Sequence, residues 1–120
     1  MNIQETSREI HDNAVNKGFW PVNQNIGEKL MLIVSELGEA MEAHRNGKFA
    51  HGSFDPSLTS DKTFVEAFEH GIKDTFEDEL ADTTIRLFDL AYAMGIDIEK
   101  HIQLKNRYNK TREYLHGKKY

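Results

Sequence analysis

The sequence predicts an all-α fold, a four-helix bundle with one additional short helix. Apolar residues recur three or four positions apart along its longest segments, which is the period of a helix buried on one face. No segment shows the sustained alternation of apolar and polar residues that is typical of a strand. Residues that cap helix starts, and glycines that end helices, divide the chain into segments of helical length.

Cap signals set the expected helix boundaries. Asn2 and Asn25 are each followed three residues later by Glu, the pattern of a capping residue at a helix start. Gly18 and Gly47 lie where the first two helices are expected to end, and Asp97 can cap the last helix. The predicted helices cover about residues 3–17, 26–46, 61–70, 76–94 and 98–116.

The helix predicted after residue 75 has an apolar stripe with a polar row beside it. At about 100° per residue, the stripe contains Phe76, Leu80, Thr83, Leu87, Leu90 and Met94. The row contains Glu79, Asp82, Arg86 and Asp89. We therefore expect the stripe to face the core and the acids to border it.

Length, charge and composition narrow the possible functions. With 120 residues, the chain is expected to form a single domain over 1–120, with a loop insertion at about 47–60 that contains two glycines and a proline. A net charge of −5 argues against nonspecific nucleic-acid binding as the main role. The chain has no cysteine, no signal-like start and no apolar run of membrane-spanning length. We expect a soluble cytoplasmic protein without a membrane partner.

Two pairs of acids are candidate metal ligands. Glu79 and Asp82 are three residues apart on one predicted helix, as are Glu36 and Glu39 on another, so each pair shares a helix face. Both pairs border apolar residues, and buried carboxylates need a counter-charge. We expect the pairs to face each other across the bundle and to share a cation. Oxygen ligands without cysteine favour Mg²⁺, or Mn²⁺, over zinc.

The far half of the last predicted helix is basic. Lys105, Asn109 and Arg112 recur at spacings that place them on one helical face, which suits a polyanion. The same cations would also stabilise a helix C-terminus by offsetting its dipole. Acids that bind a metal, together with bases that bind phosphate, indicate a nucleotide polyphosphate as the ligand.

Several motifs resemble one enzyme family in order and spacing. Ser35-Glu36-Leu37-Gly38-Glu39, followed by Glu79-Leu80-Ala81-Asp82, resembles the EExxE…ExxD signature of the MazG-type all-α nucleoside triphosphate pyrophosphohydrolases. The segments Lys105 to Arg112 and His116 to Lys119 are similar to the family's basic C-terminal motifs. The resemblance implies a MazG-like fold and Mg²⁺-dependent hydrolysis of a nucleoside triphosphate between its α and β phosphates. The products would be a nucleoside monophosphate and pyrophosphate.

The resemblance also implies roles for individual residues. The catalytic and metal-binding residues would be Glu36, Glu39, Glu79 and Asp82, which together hold one to three Mg²⁺, with Glu39 accepting a proton from water. Phosphate binding is implied for Arg86, Lys105, Asn109, Lys110 and Arg112. His11 and Trp20 are spaced as in the dCTP pyrophosphatase branch, where the similar residues line the base pocket.

The chain also departs from the family pattern. Ser35 stands where the signature has its first Glu, and Asn46 and Arg86 stand where the dCTP branch has an aromatic residue and a Tyr. Cytosine specificity therefore does not carry over. The interval between the acid pairs is longer than is usual in the family.

The subunit count and two other functions stay open from the sequence. Extra apolar residues beyond one bundle core, and the family's usual assembly, predict a homodimer or homotetramer. These residues are Met31, Met41, Ile85, Phe88 and Tyr92. One alternative function is a noncatalytic helical interaction module whose inward acids pair with Lys or Arg. The other is a carboxylate-bridged di-iron bundle, for which only Glu113 and His116 have the Glu-x-x-His spacing.

Overall fold

The structure is a computed structural model that describes residues 1–52 and 60–120. Within those ranges the chain forms five α-helices, one short 3-10 turn and no strand, so the all-α prediction is confirmed. The helices are α1 (Ile3–Asn16), α2 (Ile26–Arg45), α3 (Asp61–Gly71), α4 (Phe76–Ala93) and α5 (Ile98–Lys110), and the 3-10 turn is Tyr114–Gly117. Half of the predicted loop insertion, residues 53–59, lies outside the described residues. Among the residues described, no helix combines the length and apolar character needed to cross a membrane.

Side-chain caps fix three helix starts, as predicted. The side chains of Asn2, Asn25 and Asp97 each accept a hydrogen bond of 3.0 Å from the backbone N–H three residues later. Such bonds satisfy N–H groups that have no partner inside the helix, typically contributing about 1 kcal/mol each. The observed boundaries of the first four helices therefore agree with the predicted ones to within one or two residues.

The last helix is shorter than predicted. It ends at Lys110, whereas the pattern predicted a helix to about residue 116. Leu115 and His116 have φ of 54° and 52°, and Gly117 has φ of 74°. A left-handed backbone costs a non-glycine residue roughly 1–2 kcal/mol and cannot continue a right-handed helix. The helical prediction for 111–116 is therefore wrong.

The chain divides into two compact units. The terminal unit contains Met1–Pro21 and Phe88–Tyr120, and the central unit contains Val22–Leu87. Helices α1 and α5 and the last turns of α4 belong to the terminal unit, whereas α2, α3 and the first part of α4 belong to the central unit. Folding of residues 1–120 as a single domain stays a prediction.

In the terminal unit, α1 packs against α5. The backbone N–H of Ile3 donates to Glu99 Oε1 at 3.1 Å, which joins the starts of the two helices. Ser7, which is fully buried, donates its hydroxyl to the carbonyl oxygen of Ile3 at 2.9 Å. A small residue at this position lets neighbouring backbone approach α1 without leaving a polar group unsatisfied.

In the central unit, α2 buries a face that includes an acid. Its buried residues are Ile33, Glu36, Ala40 and Ala43, which recur three or four positions apart. Arg86 on α4 donates from Nε to Glu36 Oε1 at 2.7 Å and thereby joins the two helices. The helical period therefore brings a carboxylate inward together with small apolar side chains.

Close backbone contact fastens α3 to the segment after α2. The N–H of His51 donates to the carbonyl oxygen of Gly71 at 3.0 Å. A Cβ atom at position 71 would lie 2.6 Å from the carbonyl oxygen of His51, which is closer than two such atoms can pack. Gly71 therefore ends α3 at a site where only glycine fits without a backbone shift.

The buried face of α4 differs from the predicted one. Leu80, Leu87 and Met94, expected to face the core, are 42%, 46% and 52% exposed, so the prediction is wrong for all three. The buried residues at the start of α4 and along it are Thr75, Glu79, Thr83 and Ala91. The polar row, which contains Glu79, therefore lies deeper in the chain than much of the apolar stripe beside it.

The apolar core of the chain is small. Within 1–52 and 60–120, the buried hydrophobic residues are Ile33, Ala40, Ala43 and Ala91. A second line of apolar residues on α2 is between 48% and 54% exposed. This α2 stripe consists of Leu30, Val34, Leu37 and Met41. Its positions recur at intervals of four, three and four, so they form one continuous apolar face.

Candidate metal centre

The structure brings three of the four predicted acids together. Glu36 and Glu39 on α2 and Glu79 on α4 each offer a carboxylate oxygen, and these oxygens lie within 4.8 Å of one another. We call these three residues the acidic cluster. All its members belong to the central unit. Of the two predicted pairs, both members of the first, Glu36 and Glu39, therefore meet one member of the second, Glu79.

The helices place these carboxylates at different depths. Glu36 and Glu79 are only 8% and 6% exposed, because each lies on the buried face of its helix. Glu39, three residues beyond Glu36, is exposed. The acidic cluster therefore has two dehydrated members and one member that solvent reaches, so a ligand can approach it from the side of Glu39.

The electrostatics of the acidic cluster favour a bound cation. Burial, the hydrogen bond with Glu39 and the charges of Glu39, Asp82 and Glu36 raise the pKa of Glu79 from 4.5 to about 7. Glu79 Oε2 is buried and accepts no hydrogen bond from any residue within the described ranges. A buried oxygen without a donor is costly unless a proton or a cation reaches it. Oxygen donors of this kind are the ligands that Mg²⁺ and Mn²⁺ prefer, and a bound Mg²⁺ or Mn²⁺ stays a prediction.

Asp82 lies outside this close group but within electrostatic reach of it. Burial raises its pKa above the usual value, and the charges of Asp78, Glu36 and Glu39 act in the same direction. The positive charge of Arg86 opposes them. Asp82 is half-buried. Its role as the fourth ligand stays a prediction.

A second acidic group, which the sequence analysis missed, contains Asp74, Asp78 and Glu79. Their carboxylate oxygens also lie within 4.8 Å of one another. Asp78 Oδ2 accepts a hydrogen bond from the N–H of Asp74 at 2.9 Å, and the N–H of Asp78 donates to Thr75 Oγ1 at 3.3 Å. Thr75 and Asp78, three residues apart, are the sequence signal of a helix start. Asp78 thus helps to stabilise the start of α4.

The predicted phosphate-binding residues of the terminal unit line different pockets, although Lys105 and Arg112 both lie over the ring of Tyr108, at 5.0 and 5.5 Å from its centre. Lys105 and Asn109 line one pocket of about 460 Å³ on α5, together with His101. Arg112 lines another pocket, of about 470 Å³, after the end of α5. Lys110 is exposed. Because the helix ends at Lys110, the helical face that was predicted to join Lys105, Asn109 and Arg112 does not extend to Arg112.

The two predicted base-binding residues share one acceptor, Asp89. His11 Nδ1 lies 2.7 Å from Asp89 Oδ1, and the Nε1–H of Trp20 donates to both carboxylate oxygens at 2.9 Å. An ionised carboxylate only accepts, so His11 carries a proton on Nδ1 and Nε2 is its remaining polar atom. The rings of His11 and Trp20 meet edge to face at 5.2 Å. The structure thus brings His11 and Trp20 together as predicted neighbours.

The sequence contains only a partial signal for Asp89. It lies in the polar row of α4, but nothing in that row indicated a partner on α1. Since Asp89 engages the indole N–H, Trp20 would hold a base by ring contact rather than by hydrogen bonding. The predicted base-binding roles of His11 and Trp20 stay predictions.

Comparison of this chain with known protein families, curated proteins and solved structures finds no match.

The raised pKa of Glu79 has a consequence for stability without metal. A carboxyl whose pKa is raised on folding stabilises the folded chain below about pH 4.5, and this contribution is lost as the pH rises through about 7. We expect Glu79→Gln to remove that loss, stabilising the chain by on the order of 3 kcal/mol above pH 8. Urea unfolding from pH 4 to 9 with a chelator would measure it.

The matched control for this experiment is Glu66→Gln on α3. Glu66 is exposed, and its replacement should leave the shape of the curve unchanged. Parallel curves for the wild type and Glu79→Gln would show that the folded chain does not hold Glu79 in a dehydrated, acid-rich environment.

Proposed function

We propose that this chain is a Mg²⁺-dependent nucleoside triphosphate pyrophosphohydrolase of the MazG type. It would cleave between the α and β phosphates and release a nucleoside monophosphate and pyrophosphate. The observation that carries the proposal is the meeting of Glu36, Glu39 and Glu79, with a buried oxygen on Glu79 that has no hydrogen-bond partner among residues 1–52 and 60–120. A polyphosphate ester has the charge that such a centre, once loaded with a divalent cation, would bind.

The acids have distinct tasks in this proposal. Glu36 and Glu79, with Asp82, would hold the cation from the buried side. When bound, Mg²⁺ supplies neutralisation of the phosphate charge and increases the acidity of water. Glu39, the exposed member, would orient a water molecule and accept its proton as the water oxygen attacks the α-phosphorus. The bond from the α-phosphorus to the bridging oxygen then breaks, and pyrophosphate leaves.

Roles for the other predicted residues come from the resemblance. Phosphate contacts are proposed for Lys105, Asn109, Lys110 and Arg112, and base contacts for His11 and Trp20. The shared pocket of Lys105 and Asn109 and the shared acceptor of His11 and Trp20 support these groupings. We also propose a cytoplasmic protein that acts as a homodimer or homotetramer, because nucleotide substrates are cytoplasmic and the α2 stripe is uncovered.

One observation favours a different function. The Arg86–Glu36 pair at 2.7 Å is the kind of contact expected in a noncatalytic helical module whose acids are neutralised by basic residues. This pair neutralises only one of the three acids in the cluster, and Glu79 Oε2 has no hydrogen-bond partner in the part of the chain that the structure describes. A di-iron bundle loses support. His116 lies in the left-handed turn and Glu113 directly precedes it, so neither residue is on an α-helix.

A screen for pyrophosphate release would test the proposal. Purified protein is incubated with Mg²⁺ and with each common or modified nucleoside triphosphate, and the products are identified by chromatography. We expect at least one substrate to yield a monophosphate and pyrophosphate, with no turnover in the presence of a chelator. No turnover with any nucleotide, together with no calorimetric binding of Mg²⁺, would contradict the proposal and favour the interaction module.

A further inference from the structure

A basic side chain, Arg86, touches the acidic cluster. Its Nε–H donates to Glu36 Oε1 at 2.7 Å, and the Glu36 side chain is only 11% exposed. A charge-assisted hydrogen bond of this length in a part-buried place is among the stronger polar contacts in proteins. The pair therefore holds the guanidinium at a fixed position beside the metal centre.

Arg86 uses only its Nε–H group in this contact. Arginine has five N–H donors in a planar fork, and pairs with carboxylates frequently use two of them side by side. Here Nε–H alone is engaged, and the two terminal amino groups donate to no residue within 1–52 or 60–120. The Arg86 side chain is 34% exposed, so solvent reaches it. Within the described ranges, four N–H donors of Arg86 beside the acidic cluster are thus without an acceptor.

Glu36 also has an unused oxygen. Oε1 accepts from Arg86, whereas Oε2 accepts no hydrogen bond within the described ranges. Glu36 belongs to the acidic cluster, so one of its oxygens can serve a cation while the other holds arginine.

We propose that Arg86 joins the cation site to the polyphosphate: Nε–H anchors the side chain on Glu36 Oε1, and the terminal amino groups bind a nonbridging phosphate oxygen. This inference rests on the proposed function, because it concerns the same centre. It differs from simple charge balance in one respect. Lysine can balance charge, but its single nitrogen cannot hold Glu36 and present a separate planar fork to phosphate.

Isothermal titration calorimetry with inorganic tripolyphosphate tests this inference without relying on turnover. The wild type, Arg86→Lys and Arg86→Gln are titrated with Mg²⁺ alone, and then with tripolyphosphate in the presence of Mg²⁺. We expect both variants to raise the Kd for tripolyphosphate by about 10-fold to 100-fold, with the Kd for Mg²⁺ alone within about threefold of wild type. The matched control is Arg45→Gln, an exposed arginine at the end of α2, which should change neither value.

Each other outcome has a definite meaning. Wild-type affinity in Arg86→Lys would show that charge alone suffices and would overturn the proposal. A much weaker affinity for Mg²⁺ alone in both variants would also overturn it, since Arg86 would then act only by positioning Glu36. If the wild type binds Mg²⁺ and tripolyphosphate but hydrolyses no nucleotide, the proposed function fails and the role of Arg86 stands. A wild type that binds neither contradicts both.

Discussion

Glu39→Gln is expected to lower the rate of Mg²⁺-dependent nucleotide hydrolysis by at least about 10³-fold. The amide cannot accept the proton of the attacking water, and it replaces an anionic ligand in a cluster whose oxygens lie within 4.8 Å. Because Glu39 is exposed, the change removes no buried contact, so the helical circular dichroism should stay as in the wild type. Initial rates of pyrophosphate release measure the effect. Asp82→Asn should change the rate in the same direction.

Glu42→Gln is the matched control for this experiment. Glu42 lies three residues beyond Glu39 on α2, is exposed, and accepts a hydrogen bond from Asn46 Nδ2 at 3.2 Å. It is outside the acidic cluster, so its replacement should leave turnover close to wild type. Full activity in Glu39→Gln would remove the acidic cluster from the reaction.

Leu37→Glu is expected to weaken self-association by at least about 10²-fold. Leu37 lies in the middle of the α2 stripe and is 48% exposed in the single chain. With four buried apolar residues in the described ranges, a lone chain has little core, and a second copy is the partner that we propose for the α2 stripe. Burying one such leucine contributes about 1.5–3 kcal/mol, and in a twofold dimer the loss occurs twice. Sedimentation velocity over a concentration series measures it.

Asn13→Glu provides the comparison for added charge. Asn13 is an exposed residue of α1, and a carboxylate there should leave the sedimentation coefficient unchanged. A wild type that sediments as a monomer at every concentration would contradict the predicted assembly. So would a Leu37→Glu variant that associates as tightly as the wild type.

The helices could be predicted because their boundaries depend on local chemistry. Asn2, Asn25 and Asp97 cap through their own side chains, so nearby residues suffice to locate the helix starts. The approach of Glu36 and Glu39 to Glu79 was predictable for a related reason. Each acid occurs at a helical spacing among apolar neighbours, and a buried carboxylate needs a basic partner, a proton or a cation nearby.

Features that depend on distant contacts were missed. Leu80 and Leu87 fit the apolar period of α4, yet the chain places Glu79 inward and leaves both leucines half-exposed. Periodicity identifies an apolar face without saying whether its cover comes from the same chain. Asp89 is a similar case, because its donors are on residues that precede it by 78 and 69 positions.

Two backbone hydrogen bonds close the segment between the end of α2 and the start of α4, and this closure affects which changes in length the chain can tolerate. The N–H of Phe76 donates to the carbonyl oxygen of Lys48 at 2.8 Å, and His51 and Gly71 are joined by a second backbone bond. These two hydrogen bonds hold the two ends of the segment between α2 and α4 close together. Closing a longer loop costs only slightly more entropy, about 0.6 kcal/mol per doubling of length. Insertions and deletions in this segment should therefore leave the positions of Glu36 and Glu79 unchanged. We expect related chains to differ in length here.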